Sequence, residues 1–316
     1  MSGLGAREQM MSSAITVRQI VEDDLPQILA IYRAVGWPHT EARFNFLLND
    51  AETRGFVAEV AGEPIGFAFA GIREPVGWLG AVAVDPAHQG QGAGMALCRA
   101  ADMYFREDAR CDTAILEVSV ENRRAIDLYD RLGFVVTGVA DLCGTPAGEA
   151  PVIPTAAAAV DESGEVRTIA RLTEADLTFL APLDDSYYGG WRDRDLLFWL
   201  SQGFEAARML RVDGQPAGYC LVEAATGRLG PAAAPTLPDF LALLDAVLAA
   251  MPSGEGAPTY AASLRIVNPD PAVLAALAAR NLHLVPALHN VRMEKVYRRP
   301  LRQMSGYYVS ARSEKG

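Results

Sequence analysis

Cysteine and histidine are scarce in this chain, four of each among 316 residues. Cys98, Cys111, Cys143 and Cys220 form no C-x-x-C pair and no dense framework. That excludes a disulfide scaffold and reads as reduced thiols in a cytoplasmic protein. His39, His88, His283 and His289 are scattered, and their spacing suggests no metal site. Positive charge is also short: the net charge is −11 and the pI about 4.9. A sequence-independent nucleic-acid binder or a membrane-surface protein needs the opposite balance. An anionic cofactor is still allowed, because local backbone donors can hold it in an acidic protein. No apolar run reaches transmembrane length. Met1–Ala14 lacks the apolar stretch of a secretory signal and reads as an unstructured leader, with Met10 or Met11 as alternative starts.

Apolar material, in contrast, is plentiful. Half of the residues are hydrophobic and 21% are charged, which is ordinary for a soluble globular protein. The length suits about two domains. Residues 144–164, GTPAGEAPVIPTAAAAVDESG, read as a linker with at most a short strand near Val152–Ile153. The flanks of this linker echo each other. Val17-Arg18-Gln19-Ile20 followed by Glu22-Asp23-Asp24-Leu25 returns as Val166-Arg167-Thr168-Ile169 followed by Glu174-Ala175-Asp176-Leu177. Gly62-Glu63-Pro64-Ile65-Gly66-Phe67 returns as Gly214-Gln215-Pro216-Ala217-Gly218-Tyr219, and Arg131–Val136 has a faint echo in Arg280–Val285. Three echoes in one order imply an internal duplication. The domains are read as 15–143 and 165–316. In the first, strands are predicted at 17–20, 55–60, 65–72, 78–84, 113–120 and from Phe134. Helices are predicted over about 23–35, 40–49, 92–105 and 123–131. The fold class is α/β, with a mixed, partly antiparallel sheet flanked by helices.

Two segments carry chemistry. The first runs Val82-Ala83-Val84-Asp85-Pro86-Ala87-His88-Gln89-Gly90-Gln91-Gly92-Ala93-Gly94. A strand ends, Asp85-Pro86 breaks it, and a glycine-rich loop opens a helix. Such a loop exposes consecutive N–H groups at a helix N-terminus, where a pyrophosphate can sit. On spacing alone a tight strand-to-helix turn is the competing reading. A dinucleotide loop would need glycine at the position of Met95. The second segment runs from Ala114 through Glu117, Asn122 and Tyr129 to Phe134. Asn122 is a good N-cap and Gly133 a good stop. Ala125, Leu128, Tyr129 and Leu132 share one helix face, so Tyr129 points inward and, taken alone, reads as a core aromatic. Glu117, taken alone, reads as a solvated strand carboxylate.

Gln89-x-x-Gly92-x-Gly94 after a V-x-V-D-P strand resembles the acetyl-CoA loop of the Gcn5-related N-acetyltransferase (GNAT) family, with Gln in place of the more frequent Arg. The segment Asn122–Phe134 resembles that family's N-x-x-A-x-x-x-Y-x-x-x-G-F signature at every fixed position. The resemblance implies acetyl-CoA as cosubstrate and no metal. It implies that Val82, Ala83 and Val84 pair with the pantetheine arm. It implies that Gln89, Gly90, Gln91, Gly92, Ala93 and Gly94 cradle the pyrophosphate, with Asn122 and Ala125 beside them. It makes Tyr129 the general acid toward the leaving sulfur. The L-E-V sequence at Glu117 is similar to the protein-alanine N-acetyltransferase branch, which implies a general base. Glu59 and Asp85 are unranked alternatives for that role. The amine attacks directly in a ternary complex, with no covalent acyl-enzyme; Cys98 and Cys111 lie outside any Cys–His–Asp pattern.

Residues 165–316 resemble the degenerate second domain of tandem members of that family. They contain no Gln-x-x-Gly-x-Gly loop. The nearest equivalent, Arg228–Pro235, is too proline-rich to offer the same N–H donors. At an offset of 149 residues Tyr129 maps to Ala278 and Phe134 to His283. Tyr187, Tyr188 and Trp191 read as a pocket lining or as core. The implied function is N-acetyl transfer in the first domain, to a small-molecule amine or a peptide N-terminus, by a monomer or homodimer with no nucleic-acid or membrane partner. Trp37 and Phe44 lie in the region that shapes the acceptor site. The competing readings are a non-catalytic acyl-CoA-binding or regulatory protein, and an activity housed in the second domain.

Overall fold

The computed structural model describes residues 14–36, 41–146, 148–154, 165–251, 262–301 and 307–309. The leader, Trp37 and most of the linker lie outside the described residues, and of the side chain of Phe44 nothing is described. Two compact units emerge. The first holds residues up to Thr137 together with Val291–Leu301, and the second holds Gly138–Asn290 with residues 302–313. Residues 291–301, read from the sequence as part of the second domain, therefore belong to the first unit.

The first unit begins with β1 (Thr16–Gln19), a 3₁₀ turn, and the helices α1 (Leu25–Ala34) and α2 (Glu41–Asn49). β2 (Thr53–Val60), β3 (Glu63–Arg73) and β4 (Val76–Val84) follow as an antiparallel meander. Next come α3 (Ala93–Met103), which runs on into a π turn at Tyr104–Asp108, β5 (Thr113–Ser119), α4 (Arg123–Arg131) and the start of β6 (Val135–Gly144), of which Gly138–Gly144 lies in the second unit. Strand order is β1-β2-β3-β4-β5, then β12 (His283–Val296), of which Val291–Val296 lies in this unit. β4 and β5 are parallel, so the sheet is mixed.

Two cores cover the two faces of this sheet. Ile28, Ile31, Tyr32 and Leu47 of α1 and α2 pack on Phe67, Phe69, Trp78, Ala83 and Ile115. Leu97, Cys98 and Ala101 of α3 pack with Tyr129 of α4 on Ala68, Leu79, Leu116 and Val118, and Met293 of β12 joins them. The alternation Ile115 to one face and Leu116 and Val118 to the other is the period-2 pattern of a strand buried on both sides.

The second unit has β7 (Arg167–Arg171), a 3₁₀ turn, α5 (Leu177–Tyr188), α6 (Asp193–Gly203), β8 (Arg208–Val212), β9 (Gln215–Glu223), β10 (Arg228–Ala234), α7 (Leu237–Ala250), β11 (Ser263–Val267), α8 (Pro271–Ala278) and then β12. This is the element order of the first unit. A short strand, β13 (Tyr307–Val309), is added. Strand order here runs β6-β11-β13-β10-β9-β8-β7. Val152 and Ile153 form no strand; the Val152 N–H donates one bond to the Arg280 carbonyl at 3.0 Å.

Local geometry repeats as well as order. Asp24 and Asp176 close the 3₁₀ turns of the two units alike, each carboxylate accepting the N-cap N–H, of Val21 at 2.8 Å and of Thr173 at 2.9 Å, at identical N-cap dihedrals of φ −119° and ψ 166°. A Cβ on Gly66 would lie 2.7 Å from the Ala83 carbonyl oxygen and 3.3 Å from Leu97. A Cβ on Gly218 would lie 2.7 Å from the Ala233 carbonyl oxygen and 3.2 Å from Leu243. Residue by residue, Gly66, Ala83 and Leu97 correspond to Gly218, Ala233 and Leu243.

Candidate active site

The site is built where β4 and β5 part. Their parallel pairing covers only Val76↔Thr113, Gly77↔Ala114 and Trp78↔Ile115. Beyond Trp78 the register of β4 against β3 slips, with Ala81 held at φ +50°. A bulge of this kind turns the strand and ends pairing on one side. The Asp85 N–H donates to Ile65 of β3 at 2.9 Å. By alternation Ala83 also faces β3, whereas the N–H and C=O groups of Val82 and Val84 point to the open edge. That edge is the exposed backbone that the resemblance assigns to the pantetheine arm.

The loop after β4 is ordered by its own side chains. The Asp85 carboxylate accepts the Ala87 N–H at 2.8 Å, and the Gln89 side-chain amide donates to the Val84 carbonyl at 3.2 Å. Gln91 donates to the Ala87 carbonyl at 3.4 Å. Gly90 and Gly92 have φ of +78° and +100°, left-handed values that a side chain strains. α3 starts at once, and its first backbone bond runs from the Ala96 N–H to the Gly92 carbonyl at 3.0 Å. The N–H groups of Ala93, Gly94 and Met95 therefore have no intrahelical acceptor and stand at the positive end of the helix dipole.

Across from the loop, Asn122 caps α4 by accepting the Ala125 N–H at 3.2 Å. Between them lies a groove of about 430 Å³. Of the residues read from the sequence, Val82, Val84, Gln89, Gly90, Gly92, Ala93, Gly94, Asn122 and Ala125 line it. Ala83 and Gln91 do not: Ala83 is buried on the α1/α2 face and Gln91 turns back onto the loop. The sequence reading missed the cations. Arg124 and Arg131 also line the groove, with His88 and Asp127. The Arg124 guanidinium is 3.3 Å from where a Cβ on Gly90 would be, so it lies over the loop and supplies charge that Gln89 lacks. Arg124, Asp127, Leu128 and Arg131 sit at i, i+3, i+4 and i+7. That stripe was readable, one step round the helix from the apolar stripe containing Tyr129.

Tyr129 and Glu117 are not among the residues lining the groove, and they lie on opposite faces of the sheet. Tyr129 belongs to the α3/α4 core and meets Phe134 edge-on at 6.1 Å. Burial, with the Cys98 thiol adding to it, lifts its phenol well above the ordinary value. It is therefore protonated at neutral pH, the state a general acid needs. Glu117 is buried on β5 and by alternation shares the α1/α2 face with Ile115. The two alternatives for the base have other partners. Glu59 accepts from Arg18 at 2.8 Å, and Asp85 caps its turn. Burial pushes the Cys98, Cys111 and Cys220 thiols up to about 12 and Cys143 up to about 11. All four are protonated at neutral pH and unsuited to nucleophilic attack. Among the described residues no cluster of three metal-ligating side chains occurs.

The second unit gives a corrected register. Gly133 and Phe134 end α4 through a Phe134 N–H bond to the Tyr129 carbonyl at 3.0 Å, and the Leu282 N–H bonds the Leu277 carbonyl at 3.0 Å. Tyr129 therefore corresponds to Leu277 rather than Ala278, and Phe134 to Leu282 rather than His283. The N-caps agree, with Asn122 matching Asp270. Counted back from those caps, Glu117 corresponds to Arg265, a buried guanidinium that donates to the Ala140 carbonyl at 3.2 Å. Tyr187 donates to the Ala217 carbonyl at 2.8 Å. Tyr188 is buried under the Arg192 guanidinium at 4.0 Å, and Trp191 is partly exposed.

Comparison with known proteins gives the family and the fold. The acetyltransferase (GNAT) family matches residues 17–134. A Methanocaldococcus jannaschii protein named as an uncharacterized N-acetyltransferase is 31% identical over 138 residues, covering 38% of this chain and 60% of its own length. An aminoglycoside N(6')-acetyltransferase type 1 of Stenotrophomonas maltophilia is 34% identical over 141 residues, covering 40% of this chain and 91% of its own. The chain belongs to the acetyltransferase (GNAT) family through residues 17–134. A solved GCN5-related N-acetyltransferase from Sphaerobacter thermophilus shares the fold, with a TM-score of 0.65 at 15% identity over 92% of this chain and 98% of its own.

Proposed function

We propose that the protein is an N-acetyltransferase that moves an acetyl group from acetyl-CoA to a primary amine by direct attack in a ternary complex, with its active site in the first unit. The observation that carries this reading is the gap between β4 and β5, with a buried tyrosine on one face and a buried glutamate on the other. Acetyl-CoA supplies the activated acyl thioester. The groove fits such a ligand: spare N–H groups at Ala93–Met95, Arg124 and Arg131 suit its phosphates, and the open edge of Val82 and Val84 suits its amide-bearing arm. A backbone N–H on that edge stabilises charge developing on the acyl oxygen. Glu117 takes the proton from the amine on the α1/α2 face, and Tyr129 gives one to the departing sulfur on the other. The acceptor is a small-molecule amine or a peptide N-terminus approaching from the α1/α2 side.

In this reading the second unit is a copy of the same fold without the chemistry, since Leu277 offers no acid and Arg265 no base. The test is thiol release from acetyl-CoA over an amine panel, comparing wild type with Tyr129→Phe and Glu117→Gln. Loss of about a hundredfold or more in kcat for each is expected; undiminished turnover by both would remove the assignment.

A further inference from the structure

The second unit has its own gap, and something is in it. β10 and β11 pair in parallel only at Arg228↔Ser263 and Leu229↔Leu264. β10 then bulges between Leu229 and Ala232, with Gly230 at φ +108°. To this point the geometry is that of β4 and β5. In the first unit no strand among the described residues pairs with the strand edge beyond the bulge. In the second, β13 runs antiparallel along it, in register Ala232↔Val309, Ala233↔Tyr308 and Ala234↔Tyr307, and touches β11 at Ile266↔Val309. Burial follows: Val82 and Val84 are half-buried, whereas Ala232 and Ala234 have no exposure.

The phosphate end is closed as well. Eight residues separate β4 from α3, but only Pro235 and Thr236 separate β10 from α7. Thr236 caps α7, and the Asp239 carboxylate in its first turn accepts from the Thr236 hydroxyl at 2.7 Å and from Arg167 at 3.0 Å. A fixed carboxylate stands where the first unit offers bare N–H groups, and it repels a second anion.

We propose that the gap of the second unit is a binding slot for an extended polypeptide strand, filled by the chain's own residues 307–309, at the place where the first unit takes the pantetheine arm. The chemistry is strand addition to an exposed sheet edge. The Ala233 carbonyl faces β9, since it lies 2.7 Å from the Cβ position of Gly218. By alternation Ala232 and Ala234 turn their backbone groups toward β13, so the N–H groups of Val309 and Tyr307 face β10. The small alanine side chains leave room for the added backbone. The inference rests on the reading of the second unit as a copy of the first, but its test does not need catalysis.

Amide hydrogen exchange on the full chain reads the slot directly. In wild type the Ala232 and Ala234 amides exchange slowly. In a Tyr307→Pro, Val309→Pro double variant, which lacks the two facing donors, they should exchange about tenfold faster or more, while β4 and α3 are unchanged. In a chain ending at Leu301, a synthetic peptide of residues 302–313 should bind one per chain and restore the slow exchange. Unchanged protection at Ala232 and Ala234 in the proline variant overturns the proposal. So does the uptake of an additional acetyl-CoA per chain after truncation, because the slot would then be a covered cofactor site. If no form of the chain binds acetyl-CoA, the functional reading of the first unit fails, and the exchange result still decides the slot.

Discussion

The two units repeat one order of elements and differ in what lies beside the bulged strand. Both have the bulged strand, the close approach of a glycine to an alanine carbonyl, and a helix as the next long element after the bulged strand. In the first unit no strand among the described residues pairs with the outer edge of β4 beyond Trp78, though the Gln89 amide reaches the Val84 carbonyl, and the first N–H groups of α3 have no intrahelical acceptor. In the second, β13 takes the corresponding edge, and the Thr236 hydroxyl accepts the Asp239 N–H at the start of α7 at 3.2 Å. An open polar edge costs stability, because buried or half-buried backbone groups need partners. A fold keeps such an edge where a ligand completes it. The difference in polar accounting, more than the difference in sequence, separates a site from a scaffold.

The sharpest way to break the comparison is at the proposed acid and base. Tyr129→Phe keeps the ring against Phe134 and removes only the hydroxyl; kcat should fall by roughly 10²- to 10⁴-fold with little change in melting temperature. Leu277→Tyr in the second unit should create no activity in a Tyr129→Phe background, since Arg265 stands in place of a base. Steady-state kinetics of the single and double variants check both. Next in size is the loop. Gly92→Val places a β-branched residue at φ +100° and should raise the KM for acetyl-CoA tenfold or more, at a stability cost of about 1–3 kcal/mol. Arg124→Ala should weaken acetyl-CoA binding severalfold and flatten its salt dependence, read by calorimetric titration at two ionic strengths.

The pH effects are smaller. The Tyr129 phenol is raised above its ordinary value near 10, so its proton stays on throughout the usual assay range. The kcat profile should therefore show no alkaline fall below about pH 10 from this group; a fall near pH 8 that disappears in Tyr129→Phe would contradict it. Smallest is the acid stability of the first cap. Arg18, by hydrogen bond first, lowers the Asp24 carboxylate. A lowered folded value means the stabilisation is complete above the unfolded value near 3.9 and is lost as pH drops through the folded value. Arg18 is well exposed, so Asp24→Asn should cost under about 1 kcal/mol at pH 7 through the ion pair, and less at pH 3, by denaturant unfolding.

The elements of the first unit were legible because their signals are local. Asn122 and Gly133 bracket α4 through a cap and a left-handed stop, and Asp85-Pro86 ends β4. The loop glycines were legible for the same reason. Three things were not. The bulge at Ala81 depends on how β4 registers against β3, and no residue in the strand announces it. Arg124 looked like a solvated helix residue until the loop was placed opposite it. The faint third echo put the second unit one residue out of step, because it aligned Arg131 with Arg280 when the helix caps and the turn after α8 fix the match at Tyr129 and Leu277. β13 had no sequence signal of its own; a three-residue strand is recognised only by its neighbours.

Residues 291–301 carry one more consequence. Met293 enters the core beside α3, and Lys295 and Tyr297 both hold the Asp102 carboxylate, at 2.6 and 2.7 Å. The first unit is therefore discontinuous along the gene. On the ribosome its first five strands emerge early, yet the strand that completes its sheet is translated after nearly the whole second unit. The nascent first unit must wait half-built, with the edge of β5 exposed, while its sibling folds. A gene cut after residue 143 would encode every residue of the proposed site and leave that edge bare.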